Sequence, residues 1–196
     1  TGSGAYNDHG TLKSNAQVVY VTADTAKTCK AVVGGKEITG FQSILDAKQK
    51  DTTGTPIDFR IIGRVSRNDL DHISSSSEGI QIKGKSAYAQ MNITVEGIGE
   101  DAAVHGFGFL VRNVEFRNFA LMAFMDEGIS LDTKNCNIWV HNMDIFYGST
   151  GGDADQAKGD GSVDVKGAST NVTISYVHFW DSGKCSLCGM SDSCLL

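Results

Sequence analysis

Four stretches of this chain begin alike: N-I-T-V at Asn92, N-V-E-F at Asn113, N-I-W-V at Asn137 and N-V-T-I at Asn171. In each, an asparagine precedes alternating apolar and polar residues, the period-two signature of a strand with one buried face. The offsets are 21, 24 and 34 residues, and shorter strand-like runs lie between them at Ile80, Gly128 and Ser162. Repeats of this length occur in leucine-rich solenoids, but the leucine pattern and the helices are missing. A parallel β-helix fits better, with two or three short strands per coil and each coil stacked on the last. The recurring asparagine suits a hydrogen-bonded ladder at a turn.

The rest of the chain supports this fold. Glycine accounts for 23 of the 196 residues and proline for one, as suits many short strands and sharp turns. Residues 1–17 are polar and read as a start draped over the surface, before short strands at Val18–Val21 and Ile57–Val65. Phe41, Ile44, Leu45 and Lys48 predict one amphipathic helix over Ile38–Lys50, with Thr39 as its cap, placed to cover an exposed end of the stack. The Phe107–Phe124 run reads as strand core. The ten extra residues of the last interval fall at Tyr147–Gly159, an inserted loop expected to line a binding face.

Several function classes recede. A formal net charge of −6 gives no reason to expect a nucleic-acid partner, though it does not exclude an anionic substrate. No apolar run approaches the length of a membrane span, and the first residues show no positively charged region followed by an apolar stretch, so any secretion signal is expected to have been removed or never to have existed. Five cysteines include Cys185 and Cys188 in a lone CxxC, without the second pair that would argue for zinc. The histidines show no HxxxH or HExxH spacing; His141 and His178 read as packed or surface residues, and Trp139 and Trp180 as core or groove aromatics. Of the sequons at Asn92 and Asn171, the second begins a strand and is the weaker acceptor.

The chemistry concentrates near the end. Asp160 and Asp164 are four apart, so an extended chain aims both carboxylates one way unless Gly161 bends it. Two such acids repel, and a hard cation with oxygen ligands, Ca²⁺ above all, relieves them. Asp126 and Glu127 could add oxygens from an earlier coil. Lys184 reads as an anchor for an anionic substrate, and Lys166 as a second anchor or an ion-pair partner. The competing reading makes both aspartates solvated surface acids and the lysines ordinary surface charges.

Taken in order, the motifs resemble polysaccharide lyase family 1, the pectate lyases. They are G-F-G-F-L-V-R-N-V-E-F-R-N-F from Gly106, D-E-G-I-S-L from Asp126, N-I-W-V-H-N from Asn137, D-G-S-V-D-V-K-G-A-S from Asp160, the strand Thr170–Phe179, K-C-S-L-C-G from Lys184 and G-M-S-D from Gly189. The likeness covers roughly residues 80–194. It implies an all-β, right-handed parallel β-helix with a short N-terminal helix capping one end. Residues 1–196 would form a single domain lacking the C-terminal coils of the full family fold.

The resemblance further implies Ca²⁺ held by Asp160, Asp164 and Glu127 with Asp126 beside it. Lys184, the catalytic candidate, would meet a uronate carboxylate, with Lys166 a second substrate contact. The implied reaction is extracellular, calcium-dependent eliminative cleavage of polygalacturonate by a secreted monomer, with neither nucleic acid nor membrane as partner. Two departures stand out: the aspartate of the family's W-V-D-H-N run is replaced by His141 or deleted, and one extra residue precedes Asn137. The family's arginine base has no matching position, so a chain ending at Leu196 would show weak or absent activity. Retention of both aspartates favours the acidic substrate over the esterified one of pectin lyases. Besides pectin lyase, the alternatives are a non-catalytic β-helix that binds acidic polysaccharide and a polygalacturonase-type hydrolase, whose N-x-D, D-D and G-H-G motifs are missing.

Overall fold

The computed structural model describes residues 4–75, 78–84, 91–132, 134–149 and 157–189. In chain order the elements are β1 (Gln17–Val21), β2 (Lys30–Val33), β3 (Lys36–Thr39), α1 (Phe41–Lys50), β4 (Ile57–Ser66), β5 (Gly79–Ile82), β6 (Ile93–His105), β7 (Gly108–Val111), β8 (Val114–Arg117), β9 (Ala120–Met122), β10 (Ile129–Leu131), β11 (Cys136–Phe146), β12 (Gly161–Val165), β13 (Thr170–Trp180) and β14 (Lys184–Cys188). They wind into a right-handed parallel β-helix. One face is a seven-stranded parallel sheet in the order β1-β4-β6-β8-β11-β13, with β9 beside β6 and β11. The other is a five-stranded parallel sheet in the order β14-β12-β10-β7-β5.

The asparagine repeat marks the corners. Asn92, Asn113, Asn137 and Asn171 all have positive φ, a conformation asparagine tolerates better than most residues. Further corners recur at Asn118, Asn142 and Tyr176, and at Ala123, Tyr147 and Asp181. Successive corners are tied by the backbone, as in Asn118 N–H to Asn142 O at 3.0 Å and Ala123 N–H to Tyr147 O at 2.9 Å. Among the described residues a side-chain ladder forms where Asn113 Oδ1 accepts from Cys136 N at 2.7 Å and Asn135 Oδ1 from Asn113 N at 3.2 Å.

Between corners, inward side chains stack in register. Phe59, Val95, Phe116, Val140 and Ile174 form one row of the larger sheet. Ile80, Phe109, Ile129 and Val163 form one row of the smaller sheet. All of these except Ile174 are fully buried, each contributing about 1.5–3 kcal/mol. Phe107, Phe109, Phe116, Phe119 and Phe124 are core, as their spacing predicts.

The capping helix begins later than its periodicity suggests, because Lys36–Thr39 pairs with Lys30–Val33 in an antiparallel hairpin turned by Gly34 and Gly35. Thr39 is not the cap. Gly40 holds that position without a side-chain bond, and Asp71 caps the helix from afar, accepting from Gln42 N at 2.8 Å and Ser43 N at 3.0 Å. Gln42 then closes the edge of β5, its amide exchanging two 3.0 Å bonds with the backbone of Gln81. The sequons also reverse: Asn92 is held by Gly54 O and Lys13, whereas Asn171 is exposed.

Candidate functional site

The smaller sheet brings the sequence candidates together. Strand β12 pairs with β10 and β14, with Ser130 opposite Asp164 and Gly161 opposite Lys184. Asp160 N–H bonds Asp126 O at 2.8 Å, and Lys184 N–H bonds Asp160 O at 2.9 Å, so three successive coils meet there. Carried back along this register, Glu127 and Lys184 share one position two coils apart, with Gly161 between them. A Cβ on that glycine would lie 1.8 Å from Asp164 Oδ1, so the Asp164 carboxylate occupies the space a side chain would fill and would have to swing away to admit one.

Carboxylate oxygens of Glu127, Asp160 and Asp164 converge within 4.8 Å of one another, and all three residues are buried. The side chain of Asp126 is outside this group, although its carbonyl orders Asp160. Lys166 pairs with Glu127 rather than with Asp164, and Lys184 pairs with Asp160. The lysines differ in depth: the Lys184 side chain is 40% exposed and that of Lys166 is 14% exposed.

The acids are strained electrostatically. Burial pushes the Glu127 carboxyl up to about 7 despite Lys166, and Asp126 and Glu78 add repulsion. Burial also raises Asp164. Its Oδ1 accepts from Leu187 N at 3.1 Å, whereas its Oδ2 is buried without a hydrogen-bond partner. Such an atom costs free energy unless something completes it. An all-oxygen set with one orphaned lone pair fits a hard divalent cation such as Ca²⁺.

Sequence reasoning missed Glu78, which acts on both Glu127 and Lys166 from an earlier coil. Its signal is the register of Gly79 with Gly108, visible only once the coils are aligned. Part of the inserted loop (150–156) and the G-M-S-D motif beyond Gly189 lie outside the described residues. Cys185 and Cys188 are exposed free thiols on β14. No helix among the described residues is long and apolar enough to cross a membrane.

A family model described as pectate lyase matches residues 4–194. A probable pectate lyase A of Aspergillus fumigatus is 32% identical over 132 residues, covering 64% of this chain and 40% of the relative. A pectate trisaccharide-lyase of Bacillus licheniformis is 27% identical over 169 residues, covering 82% of this chain and 46% of the relative. The crystal structure of a pectate lyase from Bacillus sp. N165 in complex with trigalacturonate superposes with a TM-score of 0.66 at 19% identity, over 98% of this chain and 56% of that one. The chain thus spans about half the length of the relatives it matches.

Proposed function

Because this chain belongs to the pectate lyase family, we propose that it takes part in calcium-dependent β-elimination of polygalacturonate, with its acidic pocket on the smaller sheet. The observation that carries this reading is the convergence of Glu127, Asp160 and Asp164 within 4.8 Å beside two lysines. A solvated surface cluster would leave its acids in water, whereas these are buried and one oxygen of Asp164 is orphaned.

Elimination removes the C5 proton of a uronate, forms the C4–C5 double bond and expels the C4 oxygen, which gains a proton. The charge that develops on the uronate carboxylate in this step needs stabilising. Glu127, Asp160 and Asp164 would hold the Ca²⁺, which when bound would supply that stabilisation as a Lewis acid. Lys184, more exposed and reaching from the next coil, meets the carboxylate and holds the sugar in register. Lys166 lies deeper and keeps Glu127 in place; it contacts substrate only by leaving that acid. Asp126 positions Asp160 through its backbone. The residues assigned here bind and polarise the sugar, and the C5 proton goes to a base outside this set.

The test incubates polygalacturonate with the protein, with and without a chelator, and follows ultraviolet absorbance of the unsaturated product. Calcium-dependent absorbance supports the reading. New reducing ends without absorbance would make the protein a hydrolase. With neither, calcium-dependent binding of trigalacturonate would leave a polysaccharide-binding β-helix, and its absence would remove the proposal altogether.

A further inference from the structure

The outer surface of the larger sheet carries a second concavity, away from the acidic pocket. Its floor is two in-register rows. Asp58, Thr94, Glu115, Trp139 and Thr173 form one; Arg60, Glu96, Arg117, His141 and Ser175 form the other. The N-terminal segment crosses the earlier coils, with Ala5 N–H on Thr94 Oγ1 at 2.9 Å and Arg117 stacked 4.1 Å over the Tyr6 ring. Beyond that segment lies a groove of ≈ 900 Å³, walled by Asn7 and Asp8 on one side and by Asn137, Asn171 and Thr173 on the other.

Trp139 is the platform of this groove. One face of its indole stacks on His141 at 3.8 Å, and its N–H is committed to Ser175 Oγ at 3.0 Å. The side chain is still 40% exposed, so the opposite face and ring edge open to the groove. The charges on the floor are engaged with each other: Arg117 holds Glu96 at 2.7 Å and Glu115 at 3.4 Å, and His141 Nε2 lies 3.1 Å from Glu115. No lysine lines the groove among the described residues, and the carboxylates of Asp8 on its rim and Glu115 on its floor both interact with Lys13. An anionic sugar would meet two carboxylates and a guanidinium already paired. A flat apolar surface ringed by neutral amides and a hydroxyl suits an uncharged pyranose, whose C–H face covers the indole while its hydroxyls reach the rim.

We propose that the Trp139 groove is a second saccharide site, specific for a neutral oligosaccharide and independent of the acidic pocket. The probes are cellotetraose and β-1,4-galactotetraose, with tetragalacturonate in chelator as the acidic arm. Indole N–H resonances report on Trp139 and Trp180 in the intact chain, and calorimetry measures affinity in variants. A neutral tetrasaccharide should shift Trp139 and leave Trp180 unmoved. W139A should weaken binding about tenfold or more, as expected for loss of one stacking platform. W139F should retain most of it, and D164A, which breaks only the acidic pocket, should bind as wild type. The proposal is overturned if neither neutral sugar moves Trp139 at millimolar concentration, if a folded W139A with unchanged melting temperature binds as tightly as wild type, or if tetragalacturonate is preferred there.

Discussion

The two sheets each carry a buried cluster of acids and bases, and the clusters are built to opposite ends. On the larger sheet, guanidiniums alternate with carboxylates across coils: Arg60 bridges Asp58 at 2.8 Å and Glu96 at 3.1 Å, and Arg117 bridges Glu96 and Glu115. Tyr6 closes the array by donating to Glu96 at 2.8 Å. On the smaller sheet, three acids converge on one point, Lys166 and Lys184 stand beside them as partners, and an oxygen of Asp164 has no hydrogen bond. Planar, forked arginines suit a fixed scaffold, whereas lysines on flexible stems can yield a carboxylate to a cation. Counting charges would not distinguish these clusters, and each holds a buried carboxylate oxygen without a hydrogen bond, on Asp58 and on Asp164; what differs is the kind of base set beside it.

The largest difference should appear in activity. D164A is expected to abolish calcium-dependent binding of trigalacturonate, a loss of about 10²-fold or more, while the fold survives; circular dichroism and calorimetry would check both halves. R117M should do the reverse. Leaving Glu96 and Glu115 buried without their guanidinium should cost about 3–5 kcal/mol in urea unfolding, with trigalacturonate affinity of the folded protein unchanged. If R117M also lost that affinity, the two clusters would not be separable.

Calcium itself should sharpen the contrast at smaller scale. At a hundredfold excess over its dissociation constant, the ion should stabilise the wild type by about 2.7 kcal/mol and D164N by almost nothing. R117M should keep the full increment. Scanning melting temperature against calcium concentration would show it.

The last effect concerns protons. Burial, with Glu96 nearby, pushes the Asp58 carboxyl from 3.8 up to about 6. Between those values the folded chain retains a proton that the unfolded chain has released, so this residue's contribution to stability falls as pH rises from about 4 to 6. Glu96 and Glu115 are lowered, despite burial, by their hydrogen-bonded partners, and they contribute in the opposite sense, losing stability as pH drops below the usual glutamate range. D58N should flatten the decline between pH 4 and 6 in a series of denaturant titrations. An unchanged slope would show that Asp58 ionises freely.

What could be read from the sequence followed from what repeats. The asparagine corners and alternating strands gave the coil, and D-G-S-V-D placed two acids near one another. What could not be read depends on alignment between coils. Whether Asp126 or Glu127 enters the pocket turns on a single position of register, and the two residues look equivalent in sequence. Arg60, Glu96 and Arg117 each resemble ordinary surface charges until β4, β6 and β8 lie side by side. The helix cap was illegible because Asp71 lies 28 residues from Ser43. The hairpin at Gly34-Gly35 did carry its two-residue turn signal, which the stronger helical periodicity beside it obscured.

The left-handed corners have a consequence for how such a chain tolerates change. They recur 24 and 34 residues apart on successive coils, so the added length is confined to one connection, between Tyr147 and Gly161, and the strands on either side stay in phase. The scaffold therefore works like a spool whose winding is set at its pins. Slack can be let out at one pin, beside the acids, without shifting any layer above or below, which leaves that rim open to remodelling while the pocket underneath stays fixed.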